Sequence, residues 1–218
     1  VKRKSDGMAP IDIECFLILN DAEPGTIAIL RNHVAPLLAA IRAEVPQLHI
    51  QVVYHEQNFE SLFPDIKASL QQGRYQNVLF NLDQYAHSDV NLATLRDISV
   101  AFNSAEIFYT FGISSLIAFL HKSDPAALAK QLAFLGAGAD LSKLEQQMSR
   151  TEWLGAAERL VFGCFRDCAQ FVSPFSINNP DGWRYWLIHF GNFYRARQVY
   201  NNVLHENSSA QAHFGRSG

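Results

Sequence analysis

Asn81, Asp83, Gln84 and Tyr85 close the apolar run Val78-Leu79-Phe80-Asn81-Leu82, which itself follows the turn-like Gln72-Gly73-Arg74. A carboxylate in such company accepts a hydrogen bond from a substrate amino or hydroxyl group and aims its lone pair at a reacting centre, which is catalysis by positioning. The run reads as a buried parallel strand at the point where it leaves the core. In an open α/β sheet ligands sit beyond the carboxyl ends of the strands, so these four residues stand at the mouth of a site. A plainer alternative fits the same residues: Asp83 caps a turn and Tyr85 lies on the surface.

The rest of the chain offers less chemistry. Its histidines are scattered, and in His55-Glu56 and His205-Glu206 the adjacent side chains point apart, so no metal site is expected. Phe111-Gly112-Ile113-Ser114-Ser115 lacks the Gly-x-Ser-x-Gly pattern of a hydrolase nucleophile. Cys15, Cys164 and Cys168 form no metal pattern; Cys164 and Cys168 share a helix face and read as thiols filling a core. Three cysteines without an even framework suit a reducing, cytoplasmic setting. A net charge of −3 does not favour nucleic-acid binding by bulk electrostatics. Ile107 to Leu120 is the longest apolar stretch, and it is interrupted and too short for a membrane span. No secretory signal core follows the basic start of the chain.

The elements that must position Asp83 alternate through the first half. Ile11 to Leu19 reads as a strand ending at Asn20-Asp21, and Thr26 to Val45 as a helix with Ile29, Leu30, Val34, Leu37, Leu38 and Ile41 on its sheet face. Leu48 to Tyr54 makes a second strand, Phe59 to Leu70 a second helix ended by Gly73, and Val78 to Leu82 a third strand. A helix from Leu92 to Phe102 and a strand from Ala105 to Phe111 follow. Strands separated by helices predict one mostly parallel sheet with right-handed crossovers.

From residue 121 the pattern becomes helical. Asp124-Pro125 opens one helix, and Leu141 to Arg150 and Glu152 to Ala169 read as two more. Leu128, Leu132, Leu135, Leu141, Leu144, Trp153, Leu154 and Leu160 are expected to form a small core of their own, making this section a lobe off one end of the sheet. Phe171 to Ile177 and Trp183 to Phe190, joined by Asn178-Asn179-Pro180-Asp181-Gly182, predict an antiparallel hairpin at a sheet edge, and Phe193 to Leu204 a last helix. Trp183, Tyr185 and Trp186 read as packing residues, and Arg195 and Arg197 as solvated charges.

The run Asn77 to Tyr85, the strand Phe171-Val172-Ser173-Pro174-Phe175, and Trp183 to Phe190 leading into Ala196-Arg197 resemble the three-Cys-motif partner protein family, TcmP, over most of the chain. Four parallel strands and a terminal hairpin are also the strand grammar of the class I S-adenosylmethionine-dependent methyltransferase sheet when one preceding strand is missing. The resemblance implies an α/β fold: a Rossmann-like methyltransferase-type sheet lacking its first strand (1–120), a winged-helix-like helical insertion (121–170), and a hairpin and helix that complete the sheet (171–218). It implies S-adenosylmethionine as cofactor and a partner protein that itself carries the three cysteines, so those of this chain are not the motif of the name.

Carried over by residue, the resemblance puts Asn20 or Asp21 at the cofactor ribose, Asn58 and Phe59 at its adenine, and Asp83 and Tyr85 at the catalytic turn. Gln84 stands where such families carry a loop-stiffening proline. The glycine-rich turn that lets backbone approach the cofactor has no counterpart, and Ser5-Asp6-Gly7 does not replace it. Two function classes follow: a methyltransferase whose substrate class extends to nucleic acid, and a catalytically inactive interaction module for the partner protein.

Overall fold

The structure, a computed structural model, describes residues 7, 11–84, 89–114, 150–178 and 184–206, with the backbone but not the side chains of 150–154, 157 and 178. It is a mixed α/β fold in which the chain divides into two units, Val1–Pro64 and Asp65–Gly218. Six strands and five α-helices lie among the described residues.

The first unit is a βαβ crossover. β1 (Ile13–Asn20) and β2 (Leu48–His55) pair in parallel from Ile13 opposite Leu48 to Asn20 opposite His55. α1 (Thr26–Glu44) links them, entered through Gly25 at a φ of 85°, a left-handed conformation that suits glycine. Its inward line is Ile27, Leu30, Val34, Leu38 and Ile41, at intervals of three and four residues. Ile29 and Leu37, expected on that face, are instead exposed, because each sits one residue, or about 100°, off the line. On β2, Tyr54 carries the Arg31 guanidinium 4.6 Å over its ring.

α2 (Phe59–Gln72) begins in the first unit and ends in the second. The second unit continues with β3 (Asn77–Asp83), α3 (Leu92–Ala101), β4 (Ser104–Phe111), α4 (Arg150–Phe165), a 3-10 turn (Arg166–Cys168), β5 (Phe171–Asn178), β6 (Arg184–Gly191) and α5 (Tyr194–Glu206). Its sheet runs β3-β4-β6-β5: β3 and β4 are parallel, and β6 is antiparallel to both β4 and β5. The predicted antiparallel hairpin at the sheet edge is therefore present.

The single four-stranded parallel sheet expected from the alternation is not what forms. β1 with β2 and β3 with β4 are both parallel pairs, but they belong to separate sheets. Helical crossovers dictate that flanking strands run parallel, whereas which strands become neighbours depends on long-range pairing that local periodicity does not encode.

Register divides the residues of the four-stranded sheet between two faces. On one, Ile107, Tyr109, Phe111, Trp186, Ile188 and Phe190 are essentially inaccessible. α4 covers them through Phe165, whose ring lies 5.2 Å from Phe111 in an edge-on arrangement and 5.8 Å from Tyr109. Of the lobe expected over 124–170, the described part of α4 buries Val161 and Phe165, one turn apart, with the Phe165 ring against the aromatic face of the sheet. Residues 115–149, which hold most of the lobe's expected leucines, and the side chain of Trp153 lie outside the described residues.

Polar pairs fasten the edges of this core. Glu158 of α4 accepts a hydrogen bond from the Arg184 guanidinium at the start of β6, and the Arg184 N–H donates to Ser114 Oγ at 2.8 Å. Lys67 of α2 bonds both carboxylate oxygens of Asp97 on α3, at 2.6 and 2.9 Å. Asn192, just past β6, donates from Nδ2 to the Ser99 and Phe102 carbonyls at 2.8 and 2.9 Å, satisfying groups at the carboxyl end of α3 that have no helical partner. Cys168 is buried and Cys164 half-buried, both free, as core-filling thiols should be. Burial pushes the Cys168 thiol up to about 11, away from the reactive thiolate.

Candidate functional site

β3 delivers Asp83 to the carboxyl end of the second unit's parallel pair, where it lies opposite Thr110 of β4. The strand is not buried on both faces as its apolar run suggests. Val78, Phe80 and Leu82 are each 8% exposed, whereas Leu79 is 63% exposed and Asn77, Asn81 and Asp83 share its open face. β3 is the outermost strand of its sheet, so one covered face suffices, and three of the four residues on the other are polar.

Immediately after the strand, the Gln84 side chain does structural duty. Its Oε1 accepts a hydrogen bond from the Val90 N–H at 3.1 Å, spanning the loop between them. A glutamine here thus ties the loop by a side-chain bond where a proline would stiffen it through its ring. Gln84 Nε2 is buried and has no partner among the described residues. Tyr85, the second expected catalytic residue, lies outside the described residues.

The four expected cofactor residues gather at the carboxyl edge of the first unit. Asn20 ends β1 and binds the Gln57 backbone reciprocally: Nδ2 donates to its carbonyl at 2.9 Å, and Oδ1 accepts from its N–H at 3.2 Å. Asp21 accepts from the Glu23 N–H at 2.7 Å, a local turn that sets the approach to α1. Asn58 caps α2, its Oδ1 accepting from the Ser61 N–H at 3.3 Å. Phe59 packs against Phe63 with ring centroids 5.8 Å apart. Each of these residues has a local structural role. Asn20 and Asn58 retain further donor and acceptor capacity, because a carboxamide offers two N–H donors and two lone pairs.

In the sequence His189 is one of several scattered histidines and Glu106 belongs to no motif. The structure joins them: His189 Nε2 lies 3.1 Å from Glu106 Oε2, and the imidazole stacks on the Tyr200 ring at 4.6 Å and 21°. Phe108 borders the stack, 5.2 Å from His189 and 5.9 Å from Tyr200. Its members come from β4, β6 and α5. His189 is fully buried, and its Nδ1 has no partner among the described residues. Burial holds the imidazole below its ordinary value, while the hydrogen bond and negative charge of Glu106 pull the other way. Glu106 and His189 are 83 residues apart, so only the β4–β6 pairing reveals them and no spacing rule would have.

Comparison of the chain with protein-family models, with curated proteins and with solved structures finds no match. Among the described residues no helix is long and apolar enough to cross a membrane.

Proposed function

We propose that this chain acts in S-adenosylmethionine-dependent methyl transfer as a three-Cys-motif partner type of protein, with Asp83 orienting a substrate amino or hydroxyl group. The observation that supports this reading is the strand order β3-β4-β6-β5, two parallel strands whose sheet is finished by an antiparallel hairpin. That order is compatible with the later part of the class I methyltransferase strand grammar. Asp83 stands at the carboxyl end of the first of these strands, on the strand's open face, where ligands of open α/β sheets collect. A carboxylate there acts by accepting a substrate hydrogen bond and fixing the direction of a lone pair.

The cofactor fit is incomplete. Asn20, Asp21 and Asn58 line the carboxyl edge of a parallel pair, as a ribose and adenine site requires, but each already bonds local backbone. The turns after β1, β2 and β3 hold no glycine-rich cradle: Gly25 is the one glycine among them, and a single glycine does not make that motif. These backbone bonds favour a second reading, a methyltransferase-like interaction module without a reaction of its own, whose partner is the protein bearing the three-cysteine motif.

Titration calorimetry of S-adenosylmethionine into the intact protein separates the two. Saturable binding, with turnover on a protein or nucleic-acid substrate that falls at least about tenfold in Asp83→Ala, is expected from the first reading. Absence of binding, or unchanged methyl transfer by Asp83→Ala, rejects the assigned role of Asp83; absence of binding leaves the interaction module in its place.

A further inference from the structure

We propose that the stack of His189, Tyr200 and Glu106 is an acid-sensitive latch, which holds α5 on the sheet near neutral pH and releases it when His189 takes up a proton. This inference is independent of the methyl-transfer reading. α5 is a polar helix whose Phe193 approach and Tyr194, Val199 and Val203 side chains are all more than half exposed. Tyr200 is its buried residue, at 6% exposure. That ring covers His189, and its hydroxyl donates to the Leu187 carbonyl of β6 at 3.1 Å. α5 thus grips the sheet through its buried Tyr200, laid over His189 and beside Phe108, with Tyr194 and Arg197 against Phe171 of β5 at its near end.

The surroundings of His189 determine which state acid favours. Among the described residues, the ionisable groups facing it are Glu106 from β4 and Tyr200 from α5. β5 places Ser173 opposite it and carries no ionisable side chain. On α5, Arg197 lies over the Phe171 ring, 5.9 Å away, and Ala196 packs near Gly191. Glu106 alone can compensate an imidazolium, and it does so through Nε2. The second proton would sit on Nδ1, buried and without an acceptor among the described residues, under a phenol ring whose own ionisation burial also opposes. Lifting α5 opens Nδ1 to water and removes that penalty. The open state therefore binds the proton more readily than the closed one, and linkage requires falling pH to favour it.

With the closed-state imidazole held below its ordinary value and the open-state value near about 6.5, the latch is fully closed above that value and weakens as pH falls through it. Between pH 7.5 and pH 5.0 the population of the open form rises by up to about 30-fold. The consequence is an order-to-disorder change of one helix, which uncovers Phe108, Leu187 and His189 on the sheet face.

Hydrogen exchange of the intact protein at pH 5.0 and 7.5, corrected for intrinsic exchange rates, tests this. Amides of α5 should lose protection at pH 5.0 by up to about 30-fold, while those of β4 and β6 keep theirs. His189→Phe, which keeps a ring to stack but binds no proton, should abolish the pH dependence; Glu106→Gln, which removes the favourable charge, should enlarge the loss. Equal protection of α5 at both pH values, concerted loss in α5, β4 and β6, or an undiminished pH response in His189→Phe would each overturn the latch. Should His189→Phe fail to fold, a proton magnetic resonance titration of the wild-type His189 ring decides: titration below 6.5 supports the latch, and titration at or above it overturns the proposal.

Discussion

The two faces of the four-stranded sheet are built from alternate residues of the same strands, yet they do different work. One face is dry and aromatic: Tyr109, Phe111, Trp186 and Phe190 interlock under Phe165, and no member is more than 1% exposed. The other carries Asp83, Asn81 and Leu79 in the open, Glu106 and Phe108 half-buried, and His189 covered by Tyr200 alone among the aromatic side chains of α5. A tightly packed aromatic face supplies the stability, which leaves the opposite face free to hold groups whose charge or exposure can change. Polar residues gather where they do because the strands alternate and one side already secures the fold.

The contrast can be broken most forcefully at Phe165. Phe165→Ala removes the ring that touches Tyr109, Phe111 and Phe190, and should cost about 3–5 kcal/mol in denaturant unfolding of the second unit. A loss below about 1 kcal/mol would mean that this face is not the main source of stability.

Arg184→Ala comes next. It takes a guanidinium from the buried Glu158 carboxylate at the rim of the same face, with an expected loss of about 2–3 kcal/mol. If Arg184→Ala with Glu158→Gln is no more stable than Arg184→Ala alone, the buried carboxylate is not the source of the penalty.

On the opposite face the effects shrink. Tyr200→Leu loses the imidazole stack and the bond to the Leu187 carbonyl, and should cost about 1–2 kcal/mol, read as faster exchange in α5 rather than as global unfolding. The smallest effect belongs to Leu79→Ser, within about 0.5 kcal/mol of wild type by thermal melting, because the side chain is already in water. A melting shift as large as that of Tyr200→Leu would show that the open face of β3 is covered in solution.

Much of the fold was legible because its signals are local. Alternation within β4 and β6, the apolar three-and-four spacing of α1 and α2, and the turn-forming residues between β5 and β6 each report on neighbours within a few positions. Element identities and the antiparallel hairpin follow from these. Asp83 at the end of its strand follows as well, since a polar break after an apolar run marks where a strand leaves the core.

Leu79 shows where that reasoning ends: an apolar residue in an apolar run is exposed because β3 is outermost in its sheet, and rank within a sheet is set by partners far along the chain. Asn20 and Asn58 show it again, since the family resemblance implies ligand contacts for them while folding brings backbone donors and acceptors to them first.

By itself, then, the order of residues determined the types of element, their approximate ends and the parallel sense of each crossover. Only the tertiary structure decided that the parallel pairs lie in two sheets, that α4 lies across the aromatic face, and that His189 meets Glu106 and Tyr200. The physical reason is range: hydrogen-bonding period and side-chain alternation act over a few residues, whereas pairing between β4 and β6 and the docking of α5 depend on burial that the whole unit creates at once.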